Sequence, residues 1–136
     1  METVYDKNYV TISYDAEGKL GMVTWKSNCS KEEYREAFEA MLAYAKDHLM
    51  KYVLTDTRNQ GVVSPENRKW FEKDMLPRGI EVGLKKVAAV TDANVFKRYY
   101  LNMLLSSSNK FNVPFKIFSN VEDAKTYLLA DEGVLS

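Results

Sequence analysis

The sequence predicts an α/β domain whose mixed sheet starts with an antiparallel hairpin and continues in strand–helix units, in the order ββαβαβαβα, with helices mainly on one side. Three observations predict this fold. Apolar and polar residues alternate near the start, helical and strand-like periods then follow one another, and the intervening segments are long enough for parallel crossovers. We expect a single domain over residues 1–136, because this length sustains one core and no repeat or linker divides the chain.

The hairpin is predicted from two strand-like segments near the start of the chain. Val10, Ile12 and Tyr14 alternate with polar residues, and a second segment runs from Leu20 to Trp25. The short connection between them contains a glycine, as hairpin turns commonly do. The first two predicted strands are therefore antiparallel neighbours.

The first two helices are predicted from their starts. Ser30 and Glu33 have the spacing of a capping box. The apolar residues that follow recur at helical intervals, namely Tyr34, Ala37, Phe38, Met41, Leu42, Ala45 and Leu49. Ser64-Pro65 places a capping hydroxyl before a proline suited to the first helical turn, so a second helix should begin there. Pro77-Arg78-Gly79 is predicted to break or end it.

Three short apolar segments supply the remaining strands: Tyr52 to Thr55, Val87 to Val90, and Phe115 to Phe118. Apolar residues at helical spacing from Asn94 onward predict a third helix between the last two of these strands. Asn120 is suited to cap a short terminal helix. The segments after the hairpin thus predict parallel strands joined by helices.

Composition excludes several classes of partner and site. The chain has 19 Lys and Arg residues against 19 Asp and Glu residues, so it lacks the positive field that attracts nucleic acid. No stretch approaches the roughly 18–20 apolar residues needed to cross a bilayer, and the first seven residues lack the cationic end followed by an apolar run that is typical of a secretory leader. We expect a cytoplasmic protein with no integral membrane segment and no nucleic-acid partner.

The residues that bind metals and cofactors are sparse. Cys29 is the single cysteine and His48 the single histidine, which excludes an internal disulfide and a thiolate-based zinc site. No closed set of metal ligands and no glycine-rich phosphate loop is present in the sequence. We therefore expect neither a metal nor a cofactor.

Several segments together resemble the STAS superfamily, and more closely its SpoIIAA-like branch of stand-alone bacterial domains. They are Gly21-Met-Val-Thr-Trp25, Val53-Leu-Thr-Asp56-Thr57-Arg58, the helix with Trp70, Lys85-Lys-Val-Ala-Ala-Val90, and Phe115-Lys-Ile-Phe118 with the helix after it. The resemblance covers about residues 9–130 and implies the fold described above. It also implies a binding role, since members of the superfamily often act as protein-interaction modules and this branch is similar to CRAL-TRIO lipid-exchange domains.

The loop after the third predicted strand is the candidate ligand site, because open α/β sheets bind ligands at the carboxyl ends of their strands. The guanidinium of Arg58 offers a fork of donors to an anion, and the start of the second helix lies nearby in sequence. The predicted ligand-binding residues are Asp56, Thr57, Arg58, Asn59, Gly61 and Ser64. The alternative is structural: Asp56 bonds to amides of its own loop, and Arg58 pairs with Asp56 or Glu66.

The resemblance also bears on regulation of this loop. Anti-sigma-factor antagonists of the superfamily carry a D-S-S-G type motif whose second serine is phosphorylated. Asp56 and Thr57 match its first two positions, but Arg58 stands at the position of the phosphorylated serine and the glycine is displaced to Gly61. Because a guanidinium cannot accept a phosphate ester, we do not expect phospho-switching at that position.

Parts of the sequence are also compatible with two other classes of function. A small hydrolase or transferase would need Asp56, Thr57 and His48 to converge in one pocket. A receiver-like regulatory domain would use Asp56 and Thr91, but its acidic pair and its lysine after the last strand are missing, since Lys116 lies within that strand. The sequence favours a non-catalytic module that binds a protein partner or a small anionic or amphipathic ligand.

Two aromatic pairs suggest self-association. Trp70-Phe71 and Tyr99-Tyr100 lie within predicted helices, and adjacent helical residues cannot all face one core. The alternative is that the rings lie half-buried beneath a loop of the same domain. We predict a homodimer in which these aromatic residues form the interface.

Overall fold

The structure is a computed structural model that describes residues 1–92, 102, 106 and 110–130. Its strands are β1 (Glu2–Lys7), β2 (Val10–Asp15), β3 (Leu20–Trp25), β4 (Tyr52–Asp56), β5 (Lys86–Val90) and β6 (Phe115–Phe118). Its helices are α1 (Lys31–Asp47), α2 (Pro65–Trp70), a π-helical turn (Phe71–Met75), α3 (Leu76–Glu81) and α4 (Val121–Leu129). Most of the predicted third helix lies outside the described residues.

The strands form one mixed sheet in the order β1-β2-β3-β4-β5-β6. β1, β2 and β3 pair antiparallel, whereas β3, β4, β5 and β6 pair parallel. This arrangement confirms the predicted α/β class and the antiparallel hairpin that precedes the strand–helix units. None of the described helices is long and apolar enough to cross a membrane.

β1 is absent from the predicted order, which began with the hairpin. It lies at the edge of the sheet, pairs only with β2, and shows a register shift between Thr3 and Tyr5. Most of its residues are exposed, so they need no apolar alternation. The pattern that predicts half-buried strands therefore gives no signal here.

α1 agrees with its prediction at the start. The Ser30 hydroxyl accepts a hydrogen bond from the Glu33 amide at 3.1 Å, and the Ser30 amide donates to the Glu33 carboxylate at 2.8 Å. The apolar residues predicted at helical spacing are buried from Tyr34 to Ala45, while Leu49 lies beyond the helix and is exposed. The capping box thus sets where α1 begins.

α2, the π-helical turn and α3 follow one another without a break and form the 65–81 helix. Of the two predicted effects of Pro77-Arg78-Gly79, to break the helix or to end it, the ending is wrong. The π-helical turn, in which the Leu76 amide donates to the Phe71 carbonyl, shifts the backbone bonding just before Pro77, which has no N–H to donate. The helix ends at Glu81, and Gly83, whose φ of 117° suits glycine after a helix terminus, follows the cap residue Val82.

Helices cover both faces of the sheet. α1 and the 65–81 helix cover one face, here called the α1 face, and α4 covers the other, here called the α4 face. Successive residues of a strand point to opposite faces, so Val53 and Thr55 face α1 while Leu54 and Asp56 face α4. This alternation decides which residues of β4 can contribute to one site.

Candidate functional site

An apolar cavity lies between the sheet and the helices of the α1 face. Its volume is about 70 Å³, several times the roughly 10–15 Å³ that one water molecule needs. Its described lining includes Trp25, Val53, Phe38, Leu42, Phe71 and Met75. The last two belong to the π-helical turn, a feature often found at functional sites. The cavity can hold a small apolar group.

Polar side chains meet the cavity where β4 ends. The Thr55 hydroxyl accepts a hydrogen bond from the Trp25 indole at 3.1 Å, and the Thr57 hydroxyl donates to the Val90 carbonyl at 2.8 Å. Gln60 follows in the loop and is buried. None of the described residues that line the cavity is charged. The cavity therefore has an apolar body and an uncharged polar end.

A larger recess, here called the outer pocket, lies where the loops after β3 and β4 meet. Its volume is about 540 Å³, and its described lining includes Asn28, Cys29, Lys31, Gly61, Ser64 and Asn67. Tyr34 and Gln60 line both the outer pocket and the cavity. These two side chains thus lie at the junction between the two spaces.

A buried amide ties the starts of α1 and the 65–81 helix together beside the outer pocket. The Asn67 side chain accepts a hydrogen bond from the Arg35 guanidinium at 2.8 Å and donates to the Lys31 carbonyl at 3.2 Å. Lys31 also pairs with Glu66. Ser64 accepts from the Asn67 amide at 3.1 Å and so caps the 65–81 helix. The network fixes the spacing of the two helices.

The residues predicted to bind a ligand are divided between the two faces. Thr57 lines the cavity, and Gly61 and Ser64 line the outer pocket. Asp56 faces the opposite side with Leu54. Asn59 is exposed and is absent from the described lining of either space. The structure therefore brings three of the six predicted residues to the cavity or the outer pocket.

Arg58 pairs with Asp56, one of the two structural alternatives. Its Nε donates to Asp56 Oδ1 at 3.0 Å and its Nη2 donates to Oδ2 at 2.7 Å. The Arg58 amide also donates to Oδ1, at 3.2 Å. These hydrogen bonds and the charge of Asp56 raise the pKa of Arg58. The Arg58 guanidinium, predicted to receive an anion, thus binds the Asp56 carboxylate of the protein. Glu66, the other predicted partner of Arg58, binds Lys31.

The residues proposed for a hydrolase or transferase do not converge. His48 follows the end of α1 and precedes β4, so it lies near the amino end of β4, whereas Asp56 and Thr57 lie at its carboxyl end. Its ring stacks on Tyr44 with centroids 3.9 Å apart. Burial and the charge of Glu33 raise the pKa of the Cys29 thiol, which keeps it protonated and weakly nucleophilic at neutral pH.

The aromatic pair Trp70-Phe71, where α2 meets the π-helical turn, packs against its own domain. The Trp70 ring lies 6.1 Å from the ring of Tyr34, with the Arg35 guanidinium 5.4 Å from its centroid. Phe71 contacts Phe38 edge-on at 5.1 Å. Both rings are half-buried, but they contact side chains of α1 rather than lying beneath a loop, while Tyr99 and Tyr100 lie outside the described residues.

Comparison with known proteins leaves the site to be judged by its geometry. No protein-family model, no curated protein and no solved structure matches this chain. Within residues 1–92 and 110–130, no group of His, Cys, Asp and Glu side chains could hold a metal ion. The cavity and its polar end are therefore the features that bear on function.

Proposed function

We propose that this domain is a binding module for a small amphipathic molecule. The apolar part of the ligand occupies the cavity, and its polar end lies near Thr55, Thr57 and Gln60. One observation carries the proposal: an apolar cavity whose polar side chains are gathered at one end. Apolar pockets with a few placed polar groups are typical of small-molecule sites.

The sequence supports the same reading. Its resemblance to the SpoIIAA-like branch of the STAS superfamily, which we propose as the family of this chain, implies binding rather than catalysis. The polar end of the cavity borders the loop after β4, and binding at the carboxyl end of a strand is common in open α/β sheets, which supports the proposal. The proposed ligand site lies on the α1 face, on the other side of the sheet from the Asp56–Arg58 pair.

The size of the cavity sets the expected affinity. Burying each ligand methylene contributes about 0.8 kcal/mol, so five of them contribute roughly 4 kcal/mol. A free energy of that size corresponds to a Kd of about 1 mM. Hydrogen bonds at the polar end must supply any tighter binding and all the selectivity for a head group.

Titration with 1-hexanol, followed by NMR of the backbone amides, tests the proposal. Shifts should concentrate at cavity residues and saturate. Ala45→Leu, which fills the cavity from α1, should abolish binding, whereas Ala43→Leu on the exposed side of the same helix should not. Equal binding by both variants, or no binding by the wild type, would overturn the proposal.

Self-association through Trp70 and Phe71 stays a separate prediction for the domain, as does binding of a protein partner. Sedimentation equilibrium should give twice the 15.7 kDa chain mass at micromolar concentration, and at least one of the variants Phe71→Glu and Tyr100→Glu should be a folded monomer. A wild type that remains monomeric at high concentration would contradict the dimer. That result would leave the small-molecule proposal unaffected.

A further inference from the structure

Gln60 is an unusual residue for the junction of the cavity and the outer pocket. It is 8% exposed, and its side chain makes no hydrogen bond to another described residue. A carboxamide presents an acceptor oxygen beside an NH₂ group with two donors. Among the described residues, the fully enclosed side-chain atoms without a partner are Arg78 Nε and Thr91 Oγ1, so the polar atoms of Gln60 are not fully enclosed. The carboxamide therefore remains accessible at the junction of the two spaces and can form hydrogen bonds there.

The backbone around Gln60 is fixed on both sides. The Gln60 amide donates to the Thr57 carbonyl at 3.1 Å, which closes a tight turn after β4. On the other side, a Cβ added to Gly61 would lie 1.8 Å from Asn28 Oδ1, so the loops after β3 and β4 are in close contact there. The turn therefore holds the carboxamide at the junction of the two spaces.

The charges near the junction are already paired. Arg58 binds Asp56 away from the cavity, and Lys31 of the outer pocket binds Glu66. Within the described part of the chain, no cation lines the cavity itself. A carboxylate drawn into the cavity would lose its hydration without gaining a counter-charge, which is costly. An uncharged polar group meets no such penalty.

We infer that the ligand carries an uncharged carboxamide-like group, such as a primary amide or a lactam, which pairs with the side chain of Gln60. This inference rests on the proposed function. Donor and acceptor lie side by side in both partners, so two hydrogen bonds form while the apolar part of the ligand fills the cavity. At about 0.5–1.5 kcal/mol each, they should give roughly tenfold selectivity for the amide.

Three probes with the same chain length separate the possibilities: hexanamide, 1-hexanol and sodium hexanoate, each titrated at pH 8. Hexanamide should bind the wild type about tenfold more tightly than hexanoate. Gln60→Leu should weaken hexanamide about tenfold and change 1-hexanol less than threefold. Asn59→Leu, the same kind of substitution at the exposed neighbouring amide, should leave all three affinities unchanged.

NMR of the wild-type Gln60 side chain gives a test that needs no substituted protein. Gln60 is the only glutamine in the chain, so its side-chain NH₂ signals can be assigned without ambiguity. They should shift on addition of hexanamide and not on addition of hexanoate. Equal affinities for the two probes, or unmoved Gln60 signals in saturating hexanamide, would overturn the inference. Failure of all three probes, 1-hexanol included, would overturn the proposed function and this inference with it.

Discussion

Val53 and Leu54 are neighbours in β4, yet they meet differently packed halves of the domain. Leu54 faces α4 and is 0% exposed, whereas Val53 lines the cavity on the α1 face and is 9% exposed. Their neighbours differ in solvent exposure in the same way. The buried core of the α4 face is almost inaccessible to solvent, whereas most side chains that line the cavity retain a few per cent of exposure. The α4 face is closely packed, whereas the α1 face retains a cavity.

The side chains at each interface explain the contrast. On the α4 face, Ala88 and Ala124 allow the helix to approach the sheet closely. On the α1 face, the large rings of Trp25, Tyr34 and Phe38 contact one another at centroid distances of 5.1–5.7 Å. Such rings form one rigid wall of the cavity and cannot collapse into it.

The largest expected effect comes from shortening one leucine on each face. Leu54→Ala should lower the free energy of unfolding by about 4–5 kcal/mol, the upper part of the usual range, because it opens a void in a closely packed core. Leu42→Ala, beside the existing cavity, should cost about 2–3 kcal/mol. Urea unfolding with unchanged m-values measures both. Equal costs would show that the two faces are packed alike.

The Asp56–Arg58 pair gives the next largest effect. Arg58→Met leaves the buried Asp56 carboxylate without its guanidinium partner and should cost about 1–3 kcal/mol. Asp56→Asn should cost less, because the Arg58 side chain is 45% exposed and remains hydrated. Both variants should bind 1-hexanol like the wild type, since the pair lies away from the cavity. Loss of binding in either variant would contradict the division of the site between two faces.

The same Arg58 variant tests the anion site that the sequence predicts. If Arg58 receives an anion in spite of its partner, wild type should bind sulfate and Arg58→Met should bind it more weakly. Calorimetric titration with sodium sulfate measures both affinities. Equal binding would remove Arg58 from the candidate ligand-binding residues.

A smaller effect is expected at the ion pair that joins α1 to the 65–81 helix. Arg78 donates to both carboxylate oxygens of Glu39, at 2.7 and 2.8 Å, and holds the pKa of Glu39 below its ordinary value of 4.5. Because the folded-state pKa is lowered, the pair stabilises the protein above pH 4.5 and this contribution is lost as pH falls through the lowered pKa. Glu39→Gln should cost less than about 1 kcal/mol at pH 7, since the pair is partly exposed.

Urea unfolding at pH 7 and at pH 3 measures that dependence. The stability difference between wild type and Glu39→Gln should shrink as the pH is lowered, because the wild-type carboxyl is increasingly protonated. Glu36→Gln, at an exposed position of the same helix, serves as the matched control. A difference that grows in acid would contradict the stabilising role of the pair.

The smallest effect is expected at Gly61. Gly61→Ala pushes a methyl group toward Asn28 Oδ1, but Asn28 is exposed and its side chain can turn away, so the cost should stay below about 1 kcal/mol. Adding Asn28→Ala should recover most of it, as a double-mutant cycle would show. If the losses of unfolding free energy in Gly61→Ala and Asn28→Ala simply add in the double variant, the two side chains do not contact each other.

The sequence predicts the buried parts of this fold well and its edge and its site less well. The capping box at Ser30 and the alternation in β2 are local signals, and both are confirmed. The sequence does not predict β1, because an exposed edge strand needs no apolar face. It places the end of the 65–81 helix too early, because the helix continues through a π-helical turn before Pro77 and the glycine that follows its terminus is Gly83.

The candidate site is predicted in position but not in orientation. The loop after β4 does border the cavity. The charged residues Asp56 and Arg58 are predicted as ligand-binding residues because of their charge, whereas the alternation of side chains along β4 assigns Thr55 and Thr57 to the α1 face. Gln60 carries no local signal, because the cavity that surrounds it arises from packing between distant segments. Strand alternation, applied through the end of β4, would have separated the two groups.

The order of the strands along the sheet has a consequence for how a ligand reaches this domain. In doubly wound α/β proteins the strand order reverses, neighbouring helices leave toward opposite faces, and a crevice opens between them at the rim. Here the described parallel strands run in chain order without a reversal, and α1 and the 65–81 helix stay on the same face. The described part of the rim has no crevice of that kind. The outer pocket instead meets the cavity at Tyr34 and Gln60, so a ligand bound as proposed should enter and leave past these two side chains.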